Sequence, residues 1–307
     1  MWNDVERITH GQLGRTFKTV CPFCSHGRRQ ANQRKPVFAV KLKEPDFAIF
    51  NCAHCGESGY VHPDTPTRVI DLAEVKRRRD DGERKEREDR KARTASALKL
   101  WSERQPFSGS QAETYLRITR GLGDWLEAFD LDESLGFHPA CPFGDERLPC
   151  MVALVRNIQT DEPQAVHRTA LKLGPRPERI NRLSLGPISG GAVKLSLDGD
   201  VTSGLLIGEG IETTLSASLM LKFRPAWSVL SRSGFSKFPV LAGVESITIA
   251  VDIDDSGDGQ RDAGQLANRL SAAGIEAVLA HPVGSKDFND ALIVKRSMNR
   301  WWGGLLR

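Results

Sequence analysis

The 307-residue chain is poor in tyrosine, with only Tyr60 and Tyr115, and carries only four methionines. Chemistry that runs through a tyrosine nucleophile therefore has two candidates, and neither stands in a context that suits it. No apolar run approaches the about 18 residues that a membrane span requires. The opening Met-Trp-Asn-Asp-Val-Glu-Arg lacks the hydrophobic region of a signal peptide. A cytoplasmic chain is expected. The pattern Gly-x-x-x-x-Gly-Lys-Ser/Thr does not occur, so a P-loop motor has to come from another chain. Charge of one sign is modest too, at a net +4. It is unevenly spread: residues 1–104 hold 22 Lys+Arg against 15 Asp+Glu, and the remainder 21 against 24. A basic front and a mildly acidic back suit a nucleic-acid-binding module joined to a cation-binding one.

Cysteine is also sparse, and its placement is informative. Four of the six cysteines form two pairs, Cys21-Pro-Phe-Cys24 and Cys52-Ala-His-Cys55, separated by 27 residues. In a cytosolic chain this spacing argues for metal rather than disulfides. Four thiolates around Zn²⁺ make a closed, structural site. Pro36 to Lys43 and Phe47 to Asn51 read as short strands between the pairs, which gives a β zinc ribbon. His26 and His54 are expected at the surface. Arg28, Arg29, Arg34, Lys35, Lys41 and Lys43 gather near Phe38, Phe47 and Phe50, as phosphate contact with base stacking requires. Phe38 and Phe50 are expected to fill the small core, with Arg28, Arg29, Lys41 and Lys43 as the candidate nucleic-acid contacts. Cys141 and Cys150 have no second pair and read as plain thiols.

Four segments are expected: the ribbon at 1–62, a charged helical linker at 63–104 with a break near Gly82, a mixed α+β segment at 105–200, and an α/β domain at 201–307. In the last, Leu205 to Ile207 reads as a buried strand ending at Glu209, which is held between Gly208 and Gly210. Ile247 to Val251 reads as another, ending at Asp252 and Asp254, which point the same way on an extended chain. Helices are expected at about 212–223 and 260–273, further strands at 227–230 and 277–280, and a flexible loop at Ser231-Arg-Ser-Gly234. The alternation gives a small parallel sheet flanked by helices. Ligands of such sheets sit at the carboxyl ends of the strands. Carboxylates gathered there repel unless a hard divalent cation holds them. An EF-hand beginning at Asp252 fails, because position 263 is alanine.

Glu209-Gly-Ile-Glu-Thr-Thr-Leu-Ser-Ala, the later Asp252-Ile-Asp254 and Lys286-Asp-Phe-Asn-Asp-Ala-Leu together resemble the Toprim domain, over roughly residues 201–295. They look most like the Toprim of primases from phages, plasmids and related mobile elements. Met151-Val-Ala, His167-Arg-Thr and Gly190-Gly-Ala-Val resemble the subdomain ahead of it, and the cysteine pairs resemble the primase zinc-binding domain. The resemblance implies primer synthesis on single-stranded DNA from nucleoside triphosphates, with a separate helicase or other replication protein as partner. It implies Mg²⁺ or Mn²⁺ at Asp252, Asp254 and Glu209, completed by Asp287 or Asp290. Glu209 would accept a proton or orient the site. Arg156, His167, Arg168, Lys172 and Lys194 would be candidates for phosphate, with Lys286 beside the acids. Replicative primases carry Asp-x-Asp where this chain has Asp287-Phe-Asn-Asp290. A Toprim nuclease and a non-catalytic DNA-binding adaptor are the alternatives. Topoisomerases need a tyrosine on a further large domain.

Overall fold

The computed structural model describes residues 2–63, 72–253 and 256–305. The chain divides into two compact units, Met1–Asp81 and Gly82–Arg307. Among the described residues no helix is long and apolar enough to cross a membrane.

The first unit opens with helix α1 (Trp2–Thr9), followed by strands β1 (Thr16–Thr19), β2 (Phe38–Glu44), β3 (Phe47–Cys52) and β4 (Ser58–Val61). They form one antiparallel sheet in sequence order. Alternation along β2 sends Phe38, Val40 and Leu42 inward, where Trp2 and Val5 of α1 complete a small core with Ala48. Phe50 stacks on Phe38 at 5.1 Å between ring centroids. As expected, both rings serve the interior rather than the surface.

Helix α2 (Leu72–Ser102) runs through Gly82 without interruption, so the expected break is absent. One glycine in a long exposed helix costs only about 1 kcal/mol, within reach of the charged pairs around it. Its last turns carry Ala97 and Leu100 onto a core made with Cys141, Phe143, Cys150 and Val152.

In the second unit, β5 (Gln105–Pro106) and a short helix α3 (Gln111–Thr114) lead into a π-helical turn over Tyr115–Thr119. Then come β6 (Leu135–Phe143), β7 (Glu146–Asn157), β8 (Pro163–Lys172), β9 (Glu178–Leu185) and β10 (Gly191–Lys194), which pair antiparallel. The remainder alternates: β11 (Gly204–Gly208), α4 (Ile211–Leu221), β12 (Ala226–Ser228), α5 (Arg232–Lys237), β13 (Ser246–Ala250), α6 (Asp258–Ala272), β14 (Glu276–Ala280) and α7 (Phe288–Leu305). Here β11 to β14 are parallel to one another in the order β14-β13-β11-β12. An antiparallel β12–β10 pair joins them to the front half in one ten-stranded sheet.

Both faces of the parallel part are covered. Ile211 and Leu215 of α4 pack with Phe288 and Leu292 of α7, and Phe235 of α5 packs with Leu266 and Leu270 of α6. The expected loop at 231–234 is instead the start of α5, because Phe235 and Phe238 supply an apolar anchor that a flexible loop would leave in water.

Candidate metal centres and a two-sided cleft

In the first unit the two cysteine pairs converge. Cys52 ends β3, and the turn after it aims the backbone N–H groups of His54 and Cys55 at its sulfur, at 3.4 and 3.5 Å. Those N–H groups hold the Cys52 thiol down at about 6, against its burial. Burial and the neighbouring cysteines push Cys24 up to about 12. The four sulfurs all lie within 4.8 Å of one another, with Cys21–Cys55 at 3.9 Å and Cys24–Cys52 at 3.8 Å. A tetrahedron with Zn–S of about 2.3 Å has edges of about 3.8 Å. The donor set therefore fits zinc, as four clustered thiols in a ribbon should.

Around it the candidate cations separate. Lys43 is exposed and Lys41 half-buried, on the face of β2 opposite the core. Arg29 is exposed, and with Arg28, Lys35 and His54 it lines a depression of about 530 Å³. Arg28 departs from the expected surface cation. It is 9% exposed, and Gln33 closes its loop by donating to the Arg28 carbonyl at 3.0 Å.

In the second unit the strand ends assemble a cleft of about 430 Å³. Gly208 ends β11 where α4 passes so close that a Cβ would lie 2.5 Å from the Thr214 hydroxyl. Glu209 follows directly and lines the cleft. Asp252 follows β13, and the Ile253 N–H donates to the Lys286 carbonyl at 2.7 Å, which brings the start of α7 alongside. Asp287 there accepts from the Asp290 N–H at 2.8 Å, as an N-cap does, and lines the cleft. Glu209, Asp252, Asp287 and Asp290 all line the cavity. Asp254 lies outside the described residues. One Asp252 oxygen is buried without a partner. Burial, then Asp287 and Glu209, push this carboxyl up to about 7. A buried orphan oxygen among crowding acids is a donor set that fits a hard cation.

The same cavity is lined by three cations that the sequence did not single out as ligands: Arg120, Arg179 and Arg182. Arg120 ends the π-helical turn. Arg179 and Arg182 share a face of edge strand β9 because the ladder shifts between Ala170 and Leu171, leaving Ile180 as an extra residue. Regular alternation would have pointed them apart. His167 also lines the cavity, with Nδ1 3.0 Å from the Ser184 hydroxyl. Burial brings it down to about 4, so near pH 7 it is a neutral hydrogen-bonding group.

Several expected phosphate contacts lie elsewhere. Arg168 is buried, bonded to the carbonyls of Pro142 and Ser184. Lys194 is buried over Trp227, between Asp161 at 2.9 Å and Asp198 at 2.6 Å. Arg168 ties β8 to strands β6 and β9, and Lys194 holds the Asp161 and Asp198 turns to the sheet, since a buried charge needs partners at hand. Lys172 is exposed at the end of β8, and Lys286 is exposed beside Asp287; neither lines the cleft. Arg156 is tied to Asp161.

Residues 204–297 match the family model "Toprim domain", and residues 91–195 match a "Domain of unknown function (DUF7146)". No curated protein matches the chain. Among solved structures, the primase fragment of the bacteriophage T7 primase-helicase protein aligns at 16% identity and TM-score 0.42, over 61% of this chain and 72% of that one. Primase domains in a bacteriophage T7 lagging-strand polymerase assembly, bound to an RNA/DNA hybrid and dTTP, align at 14% identity and TM-score 0.35, over 54% and 80%. Residues 204–297 thus carry the match to the Toprim domain model, and they follow an N-terminal ribbon with four clustered cysteines.

Proposed function

We propose that the chain is a DNA primase, joining nucleotides into short oligonucleotides on a single-stranded DNA template. The observation that carries this reading is the mixed lining of one cleft: Glu209, Asp252, Asp287 and Asp290 share a cavity of about 430 Å³ with Arg120, Arg179 and Arg182. Nucleotidyl transfer has this requirement, with acids for a divalent ion and cations for a polyphosphate.

In this reading Asp252, Asp254 and Asp287 or Asp290 hold Mg²⁺ or Mn²⁺, with Glu209 beside them. Such an ion supplies charge neutralisation at phosphorus and alignment of a 3′-hydroxyl. Glu209 takes the hydroxyl proton or orients the site. The three arginines bind and orient the polyphosphate, and Arg120 is the one anchored by hydrogen bonds, to Tyr115 and Asn289. His167, neutral near pH 7, offers a hydrogen bond without adding charge. Residues 1–62 form the template-reading module with structural zinc, and Arg29, Lys41 and Lys43 are its exposed cations. Residues 63–104 tether it, 105–200 build the cationic wall, and 201–307 are the catalytic domain. Arg28, Arg168, Lys172, Lys194 and Lys286 act on fold or approach rather than in the cleft. A separate helicase opens the template.

The test is labelled nucleotide with single-stranded DNA and Mg²⁺ or Mn²⁺. Short oligonucleotides support a primase. Degradation of the DNA identifies a Toprim nuclease, and binding without either product identifies a non-catalytic adaptor.

A further inference from the structure

The cleft holds an acid that the proposed chemistry does not use. Glu212 lies one turn beyond Glu209 in α4 and is 5% exposed. Its carboxylate accepts one short bond, from the Tyr115 hydroxyl at 2.7 Å. That hydroxyl in turn accepts from Arg120 Nε at 2.7 Å. The π-helical turn makes this pairing possible, because Arg120 N–H reaches back five residues to the Tyr115 carbonyl at 2.9 Å and sets the guanidinium over the tyrosine ring. Asn289 fixes the arrangement from α7. It accepts from Arg120 Nη1 at 3.1 Å and donates to the Arg120 carbonyl at 2.8 Å and to Ser216 Oγ at 2.9 Å.

The other two arginines are held differently. Arg179 stands 3.6 Å and Arg182 3.8 Å from the Glu212 carboxylate, both beyond ordinary hydrogen-bond length. Their side chains are 35% and 43% exposed, whereas that of Glu212 is 6% exposed. One end of each ion pair is therefore buried and hydrogen-bonded, and the other is partly open to solvent. Three guanidinium groups converging on a cavity repel one another unless an anion lies between them.

We propose that Glu212 is a built-in stand-in for the ligand's phosphate, holding Arg179 and Arg182 over the cleft until a nucleoside polyphosphate takes its place. This rests on the reading of the cleft as a nucleotide site. Glu212 is a positioning residue: it touches no reacting atom and acts through the arginines. Arg120, anchored by Tyr115 and Asn289, stays where it is, and the two arginines of β9 exchange partners. Because they must leave Glu212 to reach the ligand, removing its charge removes a competitor. A merely structural glutamate predicts the opposite sign, since its loss would loosen the wall and weaken binding.

The experiment is calorimetric titration of inorganic tripolyphosphate, without divalent metal, into the full chain. Glu212→Gln keeps the shape and the bond to Tyr115, and is expected to bind about threefold or more tightly than the unaltered chain. Glu212→Asp keeps the charge that the fold needs but withdraws it from the arginines, and is expected to bind tighter by a smaller factor. It stands as the test should the glutamine variant fail to fold. Unchanged or weaker binding by the folded variants overturns the proposal, even while the unaltered chain binds tripolyphosphate and makes oligonucleotides. Failure of the unaltered chain to bind tripolyphosphate instead removes the nucleotide reading of the cleft, and the stand-in with it.

Discussion

The two candidate metal centres are built on opposite plans. The cysteine site is local and closed: two knuckles put four like donors at the corners of a tetrahedron with edges near 3.8 Å. The carboxylate cleft is distributed and open. Glu209, Asp252 and Asp287 arrive from β11, β13 and the start of α7, and the arginines that share the cavity come from a π-helical turn and a bulged edge strand. A closed site of identical donors can only hold an ion, so its loss is a loss of fold. An open site with unlike walls can take a ligand, so its loss is a loss of function.

The largest effect that could break this comparison is on the cysteines. Cys21→Ser should remove zinc from the purified chain and unfold the first unit, because structural zinc contributes roughly 10 kcal/mol or more of folding energy. The second unit should keep its own melting transition. Metal analysis and calorimetry check both, and a chain that keeps one zinc and one unchanged transition would contradict the closed-site reading.

Asp252→Asn should do the reverse. Oligonucleotide synthesis should fall by at least about 10³-fold, with the melting temperature unchanged or higher, because the amide removes a carboxylate crowded by Asp287 and Glu209. Product gels and thermal melts on one preparation read both quantities.

Arg182→Ala tests the cationic wall alone. KM for nucleotide should rise about tenfold while kcat stays within about twofold, since the residue is assigned to binding rather than to chemistry. An equal loss in kcat would move Arg182 among groups acting in the transition state.

The smallest effect concerns His167. Its folded value, about 4, lies below the ordinary 6.5 because of burial. Between those values the unfolded chain takes up a proton that the folded chain refuses. Its contribution to stability is therefore present above pH 6.5 and lost as pH falls toward 4, by on the order of 1 kcal/mol per pH unit. His167→Gln should flatten that part of the second unit's denaturation profile between pH 6.5 and 5, while leaving metal retention by the cysteines at its own pH dependence.

The ribbon, the strand-end acids and the parallel sheet were legible in the sequence for one reason. Each is written in short spacings that the backbone reproduces: Cys-x-x-Cys turns, and apolar runs that stop at Glu209 or Asp252. Asp287 was legible as a candidate too, although its place beside Asp252 depends on the Ile253–Lys286 backbone bond. The cationic wall was not legible. Arg168 and Lys194 looked as available as Arg179 and Arg182, and only packing against Pro142, Ser184, Asp161 and Asp198 makes the first pair internal.

The sequence by itself determined which residues could be ligands wherever the donors are neighbours, because a knuckle or a strand end carries its geometry with it. Only the tertiary structure decided which cations share the cleft with the acids. Arg120 and the β9 pair reach the cleft through a π turn and a bulge, irregularities that break the helical and strand periods on which sequence reading depends. Glu212 follows the same rule. Its place in the chain, three residues after Glu209, is visible in the sequence, but its partners Tyr115, Arg179 and Arg182 are brought to it by folding alone.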